Sequence, residues 1–288
     1  MMALALLLGM GCNLERQASI KVANKGVEAL NNGEFEVALG YLKKALLKDP
    51  TNTNAANLMG QIYFHDLRNH EDAEKAFLVV LESDETHTDT LYRLGWLNFE
   101  LERFEKATLY FNQCLSNDPE HGHCHYFHGK LAERNNDLEG ANDSYRKAAK
   151  FAPRDPRAFN SLADLYTRVH ARDEAIQVLE EGIRLNPDDA EARQKLGSLL
   201  LEGGDPARAA QMFLDAAGLA PNQHELLFAV GAAYVQCNEN ESASHFLSRY
   251  LGKPEDGRKV ERPNETLARV MLENLRRGPR KVVPVGER

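Results

Sequence analysis

A spacing of 34 residues recurs through most of this 288-residue chain. Alanines mark it, with one separation of 35 residues and five of 34, at Ala38, Ala73, Ala107, Ala141, Ala175, Ala209 and Ala243. Small residues mark it a second time, at Gly26, Gly60, Gly95, Gly129, Ala163, Gly197 and Gly231. The extra residue falls between Gly60 and Ala73, and we expect it in the turn "DLRNHED". A period of this length indicates stacked copies of one supersecondary unit.

Each copy has the pattern of a helical hairpin. The segments "NLMGQIYFHDL" and "DAEKAFLVVLESD" have apolar residues at helical spacing, and turn sequences such as "NNGEF" and "RNNDL" separate such segments. Large apolar residues are predicted to fill the seam beside the small ones, at Leu42, Phe77, Phe111, Tyr145, Leu179, Phe213 and Leu247. One hairpin cannot bury its own apolar face, so the copies must stack.

These residues resemble the tetratricopeptide repeat (TPR) family, through matches such as "LMGQIY…A…F" and "RLGWLN…A…F…DP". The resemblance implies an all-α fold, a right-handed superhelical solenoid. Seven repeats are predicted, at 19–52, 53–87, 88–121, 122–155, 156–189, 190–223 and 224–257. A capping helix is predicted at 264–277, with an apolar face of Leu267, Val270, Met271 and Leu275, followed by a disordered tail at 278–288.

The net charge of −8 is unevenly distributed. From Gly257 onward nine basic residues face four glutamates, so this segment carries +5 and the remainder −13. Phosphate binding needs a basic face, so the acidic body argues against nucleic acid as a partner.

The opening stretch "MMALALLLGMGC" is apolar and too short to span a bilayer. Residues 1–12 are typical of a secretory signal, and they resemble the bacterial lipobox, in which the cysteine is lipidated. Gly11 precedes Cys12 as in that motif, whereas Gly9 stands where leucine is usual and no basic residue comes first. The resemblance implies an outer-membrane lipoprotein that faces the periplasm, anchored through Cys12. A conventional cleaved signal and a cytosolic protein with an apolar first turn remain the alternatives.

A histidine-rich stretch, "HGHCHYFH", is the candidate for metal binding. On one helix His121, Cys124, His125 and His128 would share a face, and imidazole and thiolate bind zinc or copper. His121 lies in the break before that helix, and the resemblance places His125 and His128 in helix packing. A tolerated or partner-facing histidine cluster is therefore the favoured interpretation, and no cofactor is predicted.

The cysteines allow one bridge between neighbouring repeats. Cys114 and Cys124 flank the boundary between the third and fourth repeats, and Cys237 lies three repeats away. Such a bridge would require an oxidising compartment. The sequence leaves open whether the two pair.

In the TPR family the first helix of each repeat lines a concave groove. The resemblance implies partner-binding positions at Asn54, Asn57, Gln61, Phe64, Tyr92, Trp96, Phe99, Tyr126 and Lys130. Aromatic area interleaved with amides suits a peptide. The alternative is that Trp96 and Phe99 are core residues. Repeats five and six present Arg157, Asp164, Arg168, Glu191 and Glu202, an ordinary solvated face.

No catalytic motif occurs in the sequence, so the chain is expected to be a scaffold and not an enzyme. Lipid-anchored TPR proteins that it resembles include the pilotins, which help to assemble the type IV pilus secretin. This implies a membrane-anchored scaffold that holds a peptide in its groove. A cytosolic adaptor and a metal-binding protein are the alternatives.

Overall fold

The secondary structure of the chain is helical, as the repeat pattern predicts. A computed structural model describes residues 2–252 and 262–277, with side chains from Leu14 onward. Its helices are α1 (Met2–Asn31), α2 (Phe35–Lys48), α3 (Thr53–Gln61), α4 (His70–Ser83), α5 (Thr88–Glu100), α6 (Phe104–Asn117), α7 (Gly122–Arg134), α8 (Leu138–Phe151), α9 (Pro156–Arg168), α10 (Arg172–Leu185), α11 (Ala190–Glu202), α12 (Pro206–Leu219), α13 (Glu225–Gln236), α14 (Asn240–Leu251) and α15 (Glu265–Arg277). A π-helical turn, Ile62–Asp66, continues α3. The all-α TPR fold class is confirmed.

The same three-residue turn joins the two helices of every repeat. Its middle residue has a positive φ between 52° and 83°, at Gly33, Arg68, Glu102, Asn136, His170, Gly204 and Asn238. In the third repeat the Arg103 N–H donates to the Asn98 carbonyl over 2.8 Å, and equivalent bonds close the other turns. Only two of the seven middle residues are glycine, although glycine is the residue best suited to this backbone conformation. The common turn keeps the 34-residue register from one repeat to the next.

The small residues of the first helices receive the large side chains of the second helices. A Cβ atom added to Gly95 would lie 2.5 Å from Cε1 of Phe111, and one added to Gly129 would lie 2.4 Å from Cε1 of Tyr145. Phe111 and Tyr145 are fully buried there. These close approaches explain why each small residue of a first helix is paired with a large residue of the second helix.

Gly95→Ala is expected to destabilise the protein by about 1–3 kcal/mol, because the Phe111 ring has to move to admit the methyl group. Gly40→Ala is the matched control, since a Cβ built on this helical glycine meets no atom within 4 Å apart from its chain neighbours and the nearby backbone of its own helix. The control should raise stability by about 0.5–1 kcal/mol through helix propensity. Urea unfolding followed by the fluorescence of Trp96, the single tryptophan, measures both. Equal effects of the two substitutions would contradict the close packing at Gly95.

The chain divides into two compact halves, Met1–Phe151 and Ala152–Arg288. The first contains α1 to α8 and the second α9 to α15. Within each half the buried seam residues form the core, with Leu42, Phe77, Phe111 and Tyr145 in the first and Leu179, Phe213 and Leu247 in the second.

The last helix packs on the seventh repeat through a polar network. The Tyr250 hydroxyl donates to Glu225 Oε1 over 2.7 Å and accepts from the Asn264 N–H over 3.1 Å. The Asn264 side chain donates to Glu225 Oε2 over 2.9 Å. The apolar face predicted for this helix is partly wrong. Its buried residues are Ala268 and Leu272, whereas Leu267 and Val270 are 48% and 47% exposed.

Tyr250→Phe is expected to lower the free energy of unfolding by about 1.5–3 kcal/mol, because it removes a buried hydrogen bond to a carboxylate. Burial, followed by the hydrogen bond to Glu225, raises the pKa of Tyr250 from 10.0 to about 12. The unfolded tyrosine ionises first as pH rises, so this contribution is complete below pH 10 and is lost between pH 10 and 12. Circular dichroism melts over this pH range should decline more steeply for the wild type than for Tyr250→Phe. Parallel declines would contradict the assignment.

The opening helix α1 continues through the predicted signal segment, with helical backbone on both sides of position 12. The side chain of Cys12 lies outside the described residues, and so does the segment 278–288. Among the helices of the described part, none combines the length and apolar character that a membrane crossing requires.

Candidate functional site

Three helices of the N-terminal half carry the nine residues predicted to face a partner: α3 with its π turn, α5 and α7. Their aromatic side chains form one cluster. The Trp96 ring centroid lies 5.1 Å from that of Phe64, 6.0 Å from that of Tyr92 and 6.0 Å from that of Phe127. The Phe99 ring lies 5.2 Å from Phe127. The groove helices of repeats two, three and four are therefore joined by continuous aromatic contacts.

The nine residues divide into a supporting set and an accessible set. Phe64 and Tyr92 are 0% and 7% exposed, so they support the cluster from below, and their prediction as contact residues is corrected. The other seven reach the surface: Asn54 is exposed, and Asn57, Gln61, Trp96, Phe99, Tyr126 and Lys130 are partly exposed.

The π turn explains why Phe64 is buried. The Leu67 N–H donates to the Ile62 carbonyl over 3.0 Å, a bond across five residues that accommodates one more residue than an α-helical turn. The turn after it has the same three-residue length as in the other repeats. The extra residue therefore lies in the helix and not in "DLRNHED", which corrects its predicted position. It buries Ile62, Tyr63 and Phe64 in succession.

His65 takes the groove position that counting from Gly60 assigns to Phe64. It is exposed, its ring centroid lies 5.2 Å from that of Trp96, and its Nε2 lies 3.5 Å from Nη1 of Arg93. Partial desolvation of its ring, followed by the positive charge of Arg93, lowers the pKa of His65. His65 was not among the residues predicted from the sequence, although the 35-residue length of the second repeat was a signal for it.

Trp96 connects the core to the groove surface. It is partly exposed and packs against both apolar clusters of the N-terminal half. Its indole N–H donates to Glu100 Oε1 over 3.0 Å, which fixes the ring on the surface of α5. Trp96 is therefore both a core residue and an accessible residue of the groove surface, because one part of its ring is packed and another part is exposed.

A cleft of about 650 Å³ lies beside Phe99, between the ends of α5 and α7. Lys130 lines it and forms an ion pair of 3.3 Å with Glu133. The guanidinium carbon of Arg134 lies 3.7 Å from the centroid of the Phe104 ring on the same cleft. The aromatic surface thus borders a rim that carries both signs of charge.

The C-terminal half presents a different surface. Nζ of Lys195 lies 2.6 Å from Asp164 Oδ2 and 3.0 Å from Glu191 Oε1, and it thereby links α9 and α11. These groups line a cavity of about 400 Å³ with Gln194, Ser198 and Glu202. The polar character predicted here is present, although Asp164 and Glu191 are ion-paired.

The four candidate ligands of the histidine-rich stretch do not converge on one point, because His125 and His128 have separate hydrogen-bond partners. Nε2 of His125 is 2.8 Å from the Pro119 carbonyl, and Nε2 of His128 is 2.9 Å from Asn112 Oδ1. His121 is the N-cap of α7, where Nδ1 accepts from the Cys124 N–H over 3.2 Å. Burial lowers the pKa of all three imidazoles.

Cys114 and Cys124 form a disulfide, which resolves the pairing that the sequence left open. Both residues are fully buried, one on α6 and one on α7, so the bridge joins the third and fourth repeats. A nitrogen of His121 lies within 4.8 Å of both sulfur atoms. His121 and Cys124 were among the candidate ligands named from the sequence, whereas Cys114 was not.

Comparison with known proteins identifies the repeats directly. Family models described as "Tetratricopeptide repeat" match residues 24–88, 88–121 and 160–224. Protein FlbA of Caulobacter vibrioides is 27% identical over 232 residues, which cover 80% of this chain and 39% of FlbA. The chain thus spans about two fifths of the length of that relative.

Solved structures show the same fold. A tetratricopeptide repeat protein from Parabacteroides merdae superposes with a TM-score of 0.58 at 20% identity, over 91% of this chain and all of that one. The structure of Pseudomonas aeruginosa pilF gives a TM-score of 0.62 at 21% identity, over 75% of this chain and 96% of that one. The tetratricopeptide repeat fold is one that protein–protein interaction scaffolds use. The chain belongs to the tetratricopeptide repeat family.

Proposed function

We propose that this chain is a non-catalytic, lipid-anchored scaffold that assists the assembly of a bacterial envelope complex, such as the type IV pilus secretin. It does so by holding a peptide segment of its partner in the groove formed by α3, α5 and α7. The observation that carries the proposal is the accessible aromatic surface of Trp96, Phe99 and Tyr126, together with the partly exposed residues Asn57 and Gln61 on the neighbouring groove helix α3.

The composition of this surface favours a peptide with apolar side chains. Large, partly packed aromatic rings provide contact area at a low cost in side-chain entropy. Amides on the same face can hydrogen-bond backbone groups of a bound segment. Arg93, Glu100 and Lys130 lie around the rings and give the rim charges of both signs, which select orientation more than affinity.

Two features support an envelope location. The sequence around Cys12 resembles a lipobox, and the structure pairs Cys114 with Cys124. Disulfides form and persist in oxidising compartments such as the periplasm. The cytosolic adaptor differs in both respects, since it would retain residues 1–12 and keep the two thiols reduced.

Site-specific photo-crosslinking in the native host tests the groove. A photoreactive residue at Gln61 is expected to capture one envelope protein, and the same residue at Gln113 is the control. Gln113 is exposed on α6, the second helix of its repeat. Capture at Gln61 must disappear with Trp96→Ala to count as support. Equal capture from both positions would reject the groove.

Intact mass and membrane partition of the natively produced protein test the anchor. The proposal expects a mature chain that starts at Cys12, carries acyl groups and fractionates with the outer membrane. Cys12→Ser should release it from the membrane. An unprocessed chain in the soluble fraction would reject the anchor and the envelope location, while leaving the scaffold role to the crosslinking test.

A further inference from the structure

The disulfide between Cys114 and Cys124 has a third potential metal ligand beside it. Cys114 and Cys124 lie on different helices, and the imidazole of His121 stands beside both. The three ligand atoms all lie within 4.8 Å of one another. Two thiolates and one imidazole are a donor set that binds zinc, at bond lengths of about 2.3 Å for sulfur and about 2.0 Å for nitrogen.

We propose that, when this disulfide is reduced, Cys114, Cys124 and His121 bind one Zn²⁺ ion. The bridge and the ion are then alternative occupants of one position between the third and fourth repeats. Either of them ties α6 to α7. The proposal goes beyond the scaffold function and does not depend on it.

A dithiol can reduce the bridge and so prepare the site for zinc. The reductant transfers two electrons and two protons to the Cys114–Cys124 bond, which breaks into two thiols while the reductant closes to its own disulfide. Zinc then displaces the two thiol protons and forms two sulfur–zinc bonds. His121 adds a lone pair without losing a proton, and three protein ligands leave a fourth position for water.

Ligation has an identifiable cost at His121. A neutral imidazole has one lone pair, which His121 uses to accept from the Cys124 N–H. Binding zinc therefore replaces the N-cap bond of α7, and such a cap contributes about 1 kcal/mol.

The test uses the full chain with Cys12→Ser and Cys237→Ser, so that its only thiols are those of the pair. After reduction and removal of the reductant, Zn²⁺ is expected to bind with a stoichiometry of one. Co²⁺ in its place should give a thiolate-to-cobalt charge-transfer band. The same protein with the disulfide intact should show neither signal.

His121→Asn identifies the third ligand without removing the helix cap, because asparagine is a preferred N-cap residue. It should weaken zinc binding by at least tenfold. His87→Asn is the matched control, since Nδ1 of His87 caps α5 in the same way, with a 3.3 Å contact to the Thr90 N–H. Circular dichroism of the metal-free variants verifies that both are folded.

The proposal would be overturned by no stoichiometric binding by the reduced chain, by binding that persists in Cys114→Ser, or by equal affinities of His121→Asn and the parent. If His87→Asn weakened binding as much as His121→Asn, the ion would not lie at this site, and the proposal would also fail.

Discussion

Phe111→Ala is expected to lower the free energy of unfolding of the N-terminal half by about 3–5 kcal/mol. The Phe111 ring is fully buried, lies against Gly95 and stacks on Phe127 with centroids 5.1 Å apart and planes 8° from parallel. Alanine would leave a cavity at the junction of α5, α6 and α7. The α5 backbone at Gly95 forms one wall of this cavity, and Gly95 has no side chain that could move in to fill it.

Urea unfolding monitored by Trp96 fluorescence measures this effect directly. Leu109→Ala is the control on the same helix, because that side chain is 54% exposed and its loss should change stability by less than about 0.5 kcal/mol. A loss below about 1 kcal/mol for Phe111→Ala would show that the seam is not tightly packed.

Trp96→Ala is expected to weaken capture of the partner by at least thirtyfold, which corresponds to about 2 kcal/mol or more at a central aromatic contact. Since the ring also packs against Phe64 and Phe127, some stability will be lost with it. Binding of the protein captured from Gln61 should therefore be measured at a temperature where the variant is fully folded.

Tyr110→Ala separates binding from stability. Tyr110 is likewise partly exposed and packs against the same two apolar clusters, but it lies on α6, the second helix of its repeat. We expect it to lose similar stability and to keep affinity within about threefold. If both substitutions weakened binding equally, loss of packing and not loss of contact would explain the Trp96 result.

The repeat pattern predicts the fold well because its markers are physical contacts. Gly95 and Phe111 are each other's packing partners, so their spacing along the chain is enough to set the register of the hairpin. The location of the extra residue was not predictable in this way. Spacing between Gly60 and Ala73 counts residues without showing which of them are helical, and turns usually accept insertions more readily than helices.

The candidate site was predictable by position and not by exposure. Counting along the repeat brought Trp96, Phe99 and Tyr126 to one surface, but it assigned Phe64 an exposed position that the π turn gives to His65. The bridge between Cys114 and Cys124 depends on how neighbouring repeats stack, which no pattern within one repeat encodes. The buried face of α15 likewise depends on its contacts with α14.

The bridge between the third and fourth repeats limits how far the molecule can be stretched. If one end is tethered to a membrane and a bound partner pulls on the other, repeats can unfold one after another. The chain between Cys114 and Cys124 spans ten residue steps and has its ends 6.8 Å apart. The disulfide prevents this segment from being pulled out straight, so the stretched chain is shorter by about 30 Å. Under load, the oxidised protein is therefore a shorter tether than the reduced one.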